Sequence, residues 1–386
     1  MGEPLTPVGT GQSVTCVSET NRRSARRSLN DRRANKISIL MSTVTASDAG
    51  SAAARRPGEP ALPEAVMHAV LPTAPVTAKV VQSRLCTKGK SASYVRHVCV
   101  DVSGTPLEGV WQAGQSFGVV PPGTDANGKP HKVRLYSIAS PTYGEDGDGK
   151  VLSTTCKRLL AEREPQGEKD DPADHRLFVG VCSNHVCDLR EGDPVAVAGP
   201  NGKRFLLPAD RDAHDYLFLA TGTGVAPFRG FVHELFVGPP AGSRARAAWR
   251  PTRSTVHLVM GTPYSSDLIY DEFFREVAAA NPGFRYHPVV SREARPDGGK
   301  GEYVHHYVDR TLPQFESLLR SERTLIYVCG LAGMQVGIFQ ALAARNLHGG
   351  FLDVHADLAS VPAAEWTTEQ VKRRVHATRR CMLEVY

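Results

Sequence analysis

Short apolar runs separated by turn residues set the pattern of the chain from Pro75 onwards. Residues 76–85, 93–102 and 116–120 alternate or run apolar, are rich in Val, and are parted by Gly and Pro. Strands of this length and spacing predict a β-barrel or sandwich. The pattern continues through Arg134-Leu-Tyr-Ser137, entered from a Gly/Asn/Pro turn, and through residues 151–160, which carry Lys157 and Arg158. Leu177-Phe-Val-Gly-Val-Cys-Ser-Asn184 reads as a strand running into a short helix, with Ser183 as the helix N-cap. One more strand follows Glu191-Gly-Asp-Pro194, and this domain closes near Pro208. Tyr94 and Trp111 read as packing residues, and the charged stretch 161–176 as a solvated loop.

At Asp215 the grammar changes to strand–turn–helix. Tyr216-Leu-Phe-Leu-Ala-Thr-Gly-Thr-Gly-Val-Ala-Pro-Phe-Arg229 is an apolar strand, a glycine turn and a helix with Pro227 in its first turn. Residues 256–261 lead to a helix at 271–280, and 286–290 end at Ser291-Arg292-Glu293. A strand from Thr324 opens a helix reaching Ala344; a helix at 366–378 and a terminal strand at 381–386 close the chain. Such alternation predicts a parallel, doubly wound sheet with ligands at the carboxyl ends of its strands. The expected architecture is therefore α+β with two domains, an antiparallel β-barrel over 75–208 and an α/β domain over 209–386. Residues 1–74 are rich in Ser, Thr, Ala, Arg, Gly and Pro without periodicity, and a disordered tail is expected. An organelle transit peptide and a translation start at Met41 are the competing readings. Five acidic residues within 1–60 weigh against the transit peptide.

Composition excludes several classes. No apolar run reaches the ~20 residues of a bilayer span, so a cytoplasmic protein without a transmembrane segment is expected. Eight cysteines lie in apolar runs, as buried thiols of a reducing compartment do. Cys182 and Cys187 have the opening spacing of a plant-type iron–sulfur motif, but no C-x2-C continuation follows, and no metal site is expected. The net charge of +6 is concentrated at the start, where residues 1–60 hold nine Lys/Arg against five Asp/Glu. No basic stripe with interleaved aromatics occurs, so nucleic acid is not an expected partner.

The remaining chemistry gathers at a few positions. Strand alternation puts Arg134, able to clamp a pyrophosphate, beside Tyr136, able to stack on a flat heterocycle, with Ser137 on the other face. The helix starts after Gly180 and Gly222 suit phosphates. Ser291 with Arg292, after the third strand of the α/β sheet, can read a dianionic 2′-phosphate and favours NADPH over NADH. Cys329 is a candidate reactive thiol but reads as a packing and polarity element. His185, His305 and His306 read as structural or solvent-facing.

Residues 75–386 resemble the plant-type ferredoxin–NADP reductases. The matching segments, in family order, are Asn127-Gly-Lys-Pro-His-Lys-Val-Arg-Leu-Tyr-Ser-Ile-Ala-Ser140, Gly180-Val-Cys-Ser-Asn184, Gly222-Thr-Gly-Val-Ala-Pro-Phe-Arg229, Ser291-Arg-Glu293, Tyr327-Val-Cys-Gly-Leu-Ala-Gly-Met334 and the terminal Glu384-Val-Tyr386. The resemblance implies that the barrel binds FAD and the α/β domain NADP(H). It places Arg134, Leu135, Tyr136 and Ser137 on FAD, with Thr155, Cys156, Lys157, Val181, Cys182, Ser183 and Thr223 around it and Tyr386 as a lid over the flavin. It assigns Lys157, Thr223, Thr262, Pro263, Ser291, Arg292, Tyr303, Gly330, Leu331 and Glu384 to NADP(H). Ser137, Cys329, Glu384 and Tyr386 become the residues of the reaction centre. Three departures stand out: Ala161 replaces a tyrosine that stacks on the FAD adenine, Gly301 replaces a lysine (with Lys300 next to it), and His305 replaces a glutamine. The implied activity is electron transfer between NADP(H) and a one-electron carrier such as ferredoxin or flavodoxin, by hydride transfer at flavin N5, in a monomer. The alternatives are a reductase component feeding an oxygenase and, from another class, a non-catalytic flavin or nucleotide sensor.

Overall fold

The structure is a computed structural model that describes residues 56–162 and 177–385. The expectations for residues 1–55, for 163–176 and for Tyr386 lie outside the described residues. Alternating Val-rich strands build the first layer: β1 (Val76–Leu85), β2 (Val95–Asp101), β3 (Ser116–Val120), β4 (Arg134–Ser137), β5 (Val151–Lys157) and, after a small hairpin, β8 (Pro194–Asn201). They form one sheet in the order β4-β3-β8-β1-β2-β5, with every neighbouring pair antiparallel. A bridge between Ile138 and Thr154 joins the two edges, so the sheet curls into a barrel. Val80, Val98, Val100, Phe117, Val119 and Trp111 fill its interior.

The strand expected over 151–160 is split. It ends at Lys157, and a separate hairpin of β6 (Leu160–Glu162) and β7 (Leu177–Val179) follows. Helix α1 (Val181–Asp188) is capped by the extended backbone of Gly180 rather than by Ser183. Ser183 lies in the first turn, and its hydroxyl donates to the Gly180 carbonyl at 3.2 Å. Tyr94 is exposed rather than packed, with the Arg158 guanidinium 4.9 Å above its ring.

The second layer is a parallel sheet of β9 (Asp215–Thr221), β10 (Val256–Thr262), β11 (Phe284–Val290), β12 (Thr324–Gly330) and β15 (Cys381–Val385), in the order β11-β10-β9-β12-β15. One face is covered by α2 (Ala226–Val232) and α3 (Asp271–Ala280), which contribute Phe228, Phe231 and Phe274 to one core. The other is covered by α4 (Val304–Arg320), α5 (Ala332–Ala344) and α6 (Thr368–Arg374). Helix α4 has no counterpart in the sequence reading. Pro313 in its interior masks it, yet Val304, Val308, Thr311, Leu312, Phe315 and Leu319 bury one helical stripe. The helix expected at 366–378 shortens to α6, opened by a Thr367–Gln370 capping box. Residues 375–377 instead form β14 (Val375–Ala377) against β13 (Leu352–Val354).

The disordered tail does not extend to residue 74. From Arg56 the chain is a strap with extended stretches: Arg56 pairs with Asp353 at 2.8 Å, the Ala61 carbonyl accepts from Ala209 N, and Val70 bridges Gly199. Backbone pairing with the end of β8 and with Ala209 supplies what its weak apolar pattern does not. No helix among the described residues is long and apolar enough to cross a membrane.

A buried polar clasp joins the layers. Arg229 of α2 reaches both carboxylate oxygens of Glu145, at 2.5 and 3.0 Å, and the Ala139 carbonyl at 3.0 Å. Burial alone would raise the Glu145 carboxyl, but the charge and hydrogen bonds of Arg229 outweigh it and hold the pKa down to about 2. His97 beside it is lowered to about 3, by burial and then by Arg229, so it is neutral and bonds Tyr270 Oη at 2.7 Å. His97, Cys99 and Glu145 lie within metal-ligand reach of one another, but the guanidinium already neutralises the carboxylate. Removing one partner of such a buried pair costs about 3–5 kcal/mol. Arg229→Met should therefore lower the urea midpoint by that much stability at pH 7. The loss should shrink in acid, because a depressed carboxyl stabilises above its ordinary range and loses that contribution as pH falls through about 2. An unchanged midpoint at neutral pH would show that the clasp is not holding the layers.

Candidate functional site

Strand β9 starts the parallel sheet in its middle; the chain then moves to β10 and β11 on one side and to β12 and β15 on the other. The carboxyl ends of β9 and β12 therefore flank a switch point, where open α/β sheets bind ligands. Two glycines allow the crevice to form. Gly224, in the turn after β9, lies so near β12 that a Cβ would stand 2.3 Å from the Cys329 carbonyl oxygen. Gly330 has φ +137°, and a Cβ there would meet Thr221 Oγ1 at 2.1 Å. That Thr221 oxygen accepts from Leu331 N at 3.0 Å, joining the two strand ends, while the Leu331 side chain is exposed. Thr223 sits between the two glycines of the β9 turn, in a short 3-10 turn that runs into α2.

The barrel presents β4 to the same region. Tyr136 leans on the barrel core, its hydroxyl against the Cys182 and Cys156 thiols, and Arg134 is exposed at the strand start. Leu135 lies between them, half-buried. The first turn of α1 supplies Val181, exposed, with Cys182 buried behind it; no side chain among the described residues caps this helix start. Its amides are open to an anion. Lys157 is exposed at the end of β5. Thr155 is not part of this group. Alternation puts its side chain on the face opposite Cys156, where it is buried and bonded to Tyr270 Oη at 2.5 Å.

Ser137 at the end of β4 meets Glu384 of β15, an approach of barrel to sheet. Burial raises the Glu384 carboxyl to about 7, against a hydrogen bond from Ser137 that pulls it down. Among the described residues its Oε2 is buried without a hydrogen-bond partner, a costly state that a bound polar group would relieve. Cys329 pairs with Glu384 in the register of β12 and β15. Its thiol is fully buried and pushed well above its ordinary value by burial and then by the Glu384 charge, so it is protonated and no nucleophile.

A third cluster lies beyond β10 and β11. Ser291 N donates to the Thr262 carbonyl at 3.0 Å and Arg292 N to the Pro263 carbonyl at 2.9 Å, so the two strand ends form one ledge. The Thr262 hydroxyl is turned inward, to the Tyr264 carbonyl. Arg292 is exposed, its guanidinium 5.9 Å from the Tyr264 ring. Sequence reasoning passed over Tyr264; its only signal is an aromatic directly after Thr262-Pro263. Glu293 is held away from the ledge by Ser265, whose N and Oγ donate to it at 2.9 and 3.1 Å. Tyr303, 58% exposed, stands opposite with its ring parallel to His305 at 5.7 Å. Gly301 leaves no room for a side chain, since a Cβ would stand 2.5 Å from the Glu293 carbonyl oxygen.

The family model described as "Oxidoreductase NAD-binding domain" matches residues 218–339. The ferredoxin–NADP reductase of Synechocystis sp. is 35% identical over 317 residues, 82% of this chain and 68% of that protein. That of Spirulina sp is 38% identical over 277 residues, 71% of this chain and 87% of that protein. Leaf isozyme 1, chloroplastic, of Arabidopsis thaliana is 33% identical over 323 residues, 83% and 80% of the two chains. The chain belongs to the ferredoxin–NADP reductase family. The solved ferredoxin–NADP+ reductase from Plasmodium falciparum shares the fold, with a TM-score of 0.56 at 19% identity over 83% of this chain and 99% of that one.

The residues fit the FAD and NADP(H) that ferredoxin–NADP reductases use. An uncapped helix start and an exposed arginine suit a pyrophosphate, and a buried carboxyl oxygen that meets no hydrogen-bond partner among the described residues leaves a place for a polar group. The raised carboxyl gives a test. A group whose folded pKa exceeds its ordinary 4.5 adds stability below pH 4.5 and loses it as pH rises through about 7. Glu384→Gln should flatten this slope, gaining up to about 3 kcal/mol over wild type at pH 8 in urea unfolding. Parallel pH profiles for the two proteins would contradict the buried, protonated state.

Proposed function

We propose that this protein is a ferredoxin–NADP reductase, moving electrons between NADP(H) and a ferredoxin-type carrier. The observation that carries the reading is the meeting of Ser137 and Glu384 beside the switch-point crevice. Bound FAD supplies the redox chemistry, taking a hydride from the nicotinamide and releasing electrons singly. The protein's part is alignment and charge. Arg134 and the α1 amides hold the pyrophosphate, and Tyr136 offers a ring to one face of the flavin. Glu384 keeps a proton up to about pH 7 next to the Ser137 hydroxyl, so the pair can hold or pass a proton at the reacting edge. Gly330 and Leu331 line the path of the nicotinamide, and Cys329 shapes its pocket as a neutral thiol. Ser291 and Arg292 hold the 2′-phosphate, with Tyr303 stacking on the adenine of NADP(H).

The same proposal includes a monomer working in the cytoplasm, with flavodoxin as a second acceptor. Tyr386 acts as a lid that the nicotinamide displaces. Stopped-flow mixing of the yellow protein with NADPH and NADH tests the whole: NADPH should bleach the flavin at least tenfold faster at equal concentration, an effect of a charge-assisted phosphate contact. No bleaching by either nucleotide would sink the reading. Tyr386→Ser should narrow the preference for NADPH, because the lid no longer competes with the nicotinamide. Selectivity equal to wild type in that variant would remove the lid.

A further inference from the structure

Among the described residues, six of the thirteen exposed large apolar side chains gather at one place: Leu159, Leu160, Leu177, Phe178, Val179 and Val181. Single exposed apolar residues are ordinary, whereas a cluster marks a binding surface. Phe178, 56% exposed, is its one aromatic ring. In the β6–β7 hairpin Phe178 is directly opposite Ala161. Opposed residues of an antiparallel pair share a face, with Cβ atoms about 4.5–5.5 Å apart. The ladder continues one step further, because Gly180 N donates to the Leu159 carbonyl at 3.0 Å. Alternation therefore puts the Leu159–Gly180 rung on the face of the Ala161–Phe178 rung. A Cβ on Gly180 would stand 2.9 Å from Leu159 Cβ and 2.6 Å from Ser183 Oγ. This face thus runs straight into the first turn of α1. From Gly180 to Phe178 is two residues, roughly 7 Å of strand, which is about the reach of one ribose.

We propose that Phe178 is the platform on which the adenine of FAD stacks, supplied from the strand opposite Ala161. The proposal rests on the FAD reading above. A dinucleotide with its pyrophosphate on the α1 amides sends its adenosine along this face. Ala161 contributes only a methyl to this face, and the facing strand supplies a ring. Such a ring binds any purine face without needing hydrogen bonds.

The full-length chain, stripped of flavin, is titrated with FAD and with FMN while flavin fluorescence is followed. Phe178→Ala is expected to weaken FAD about tenfold and to leave FMN, which lacks the adenosine, unchanged. Phe178→Tyr keeps the affinity of wild type. Adding Ala161→Tyr to Phe178→Ala restores it, because a ring then reaches the same face from the other strand. Unchanged FAD affinity in Phe178→Ala overturns the proposal. So does equal weakening of FAD and FMN, the pattern of a residue that only supports the fold. A wild-type chain that binds neither flavin defeats the functional reading itself, a result distinct from both.

Discussion

The buried pair of Arg229 and Glu145 is the contact on which the relation of barrel and sheet depends. Its guanidinium comes from the helix that follows the β9 glycine turn, and its carboxylate from the loop after β4. The carboxylate end thus follows directly on β4, the strand that ends in Ser137. Ser137 belongs to β4 and Glu384 to β15, so their meeting exists only while the two layers keep one orientation. A buried charge pair suits this task because it tolerates little displacement: moving either partner leaves an unpaired ion in a dry junction. Tyr270, Thr155 and the neutral His97 extend the clasp with hydrogen bonds, and the strap from Arg56 adds backbone contacts to β8 and Ala209 and an ion pair to Asp353.

Within that frame, close approach decides what each site position tolerates. Gly224 and Gly330 are glycines because the ends of β9 and β12 leave no volume for a Cβ. Gly301 follows the same rule beside the Ser291–Glu293 ledge. Polar demand is handled differently on the two sides of the crevice. Glu293 is satisfied by Ser265 and so withdrawn, whereas Glu384 keeps one oxygen without a partner among the described residues. The withdrawn acid leaves Arg292 as the charge presented at the ledge, and the unsatisfied one keeps its proton near neutral pH.

Much of this was legible from residues alone. Val-rich alternation announced the barrel strands, and apolar runs followed by glycine turns announced the parallel sheet. These patterns are local, because burial on one or both faces of a strand writes itself into every second or every residue. The ordered strap was missed because its stability comes from backbone pairing, which leaves no apolar period. Helix α4 was missed because Pro313 breaks the expected propensity, although its buried stripe spans the proline. Ser183 suits a cap by residue type alone; Gly180 holds that place because its neighbours crowd the position of a side chain.

By itself the sequence determined the order of strands and turns, the chemical types at the crevice and the family, all of which depend on short spacings. Only the tertiary structure decided which of those residues meet. The turning away of Thr155, the withdrawal of Glu293, the protonated state of Glu384 and the Arg229–Glu145 clasp all join segments distant in the chain. Burial and electrostatic partnership are properties of that assembled neighbourhood, and no residue carries them before the layers close.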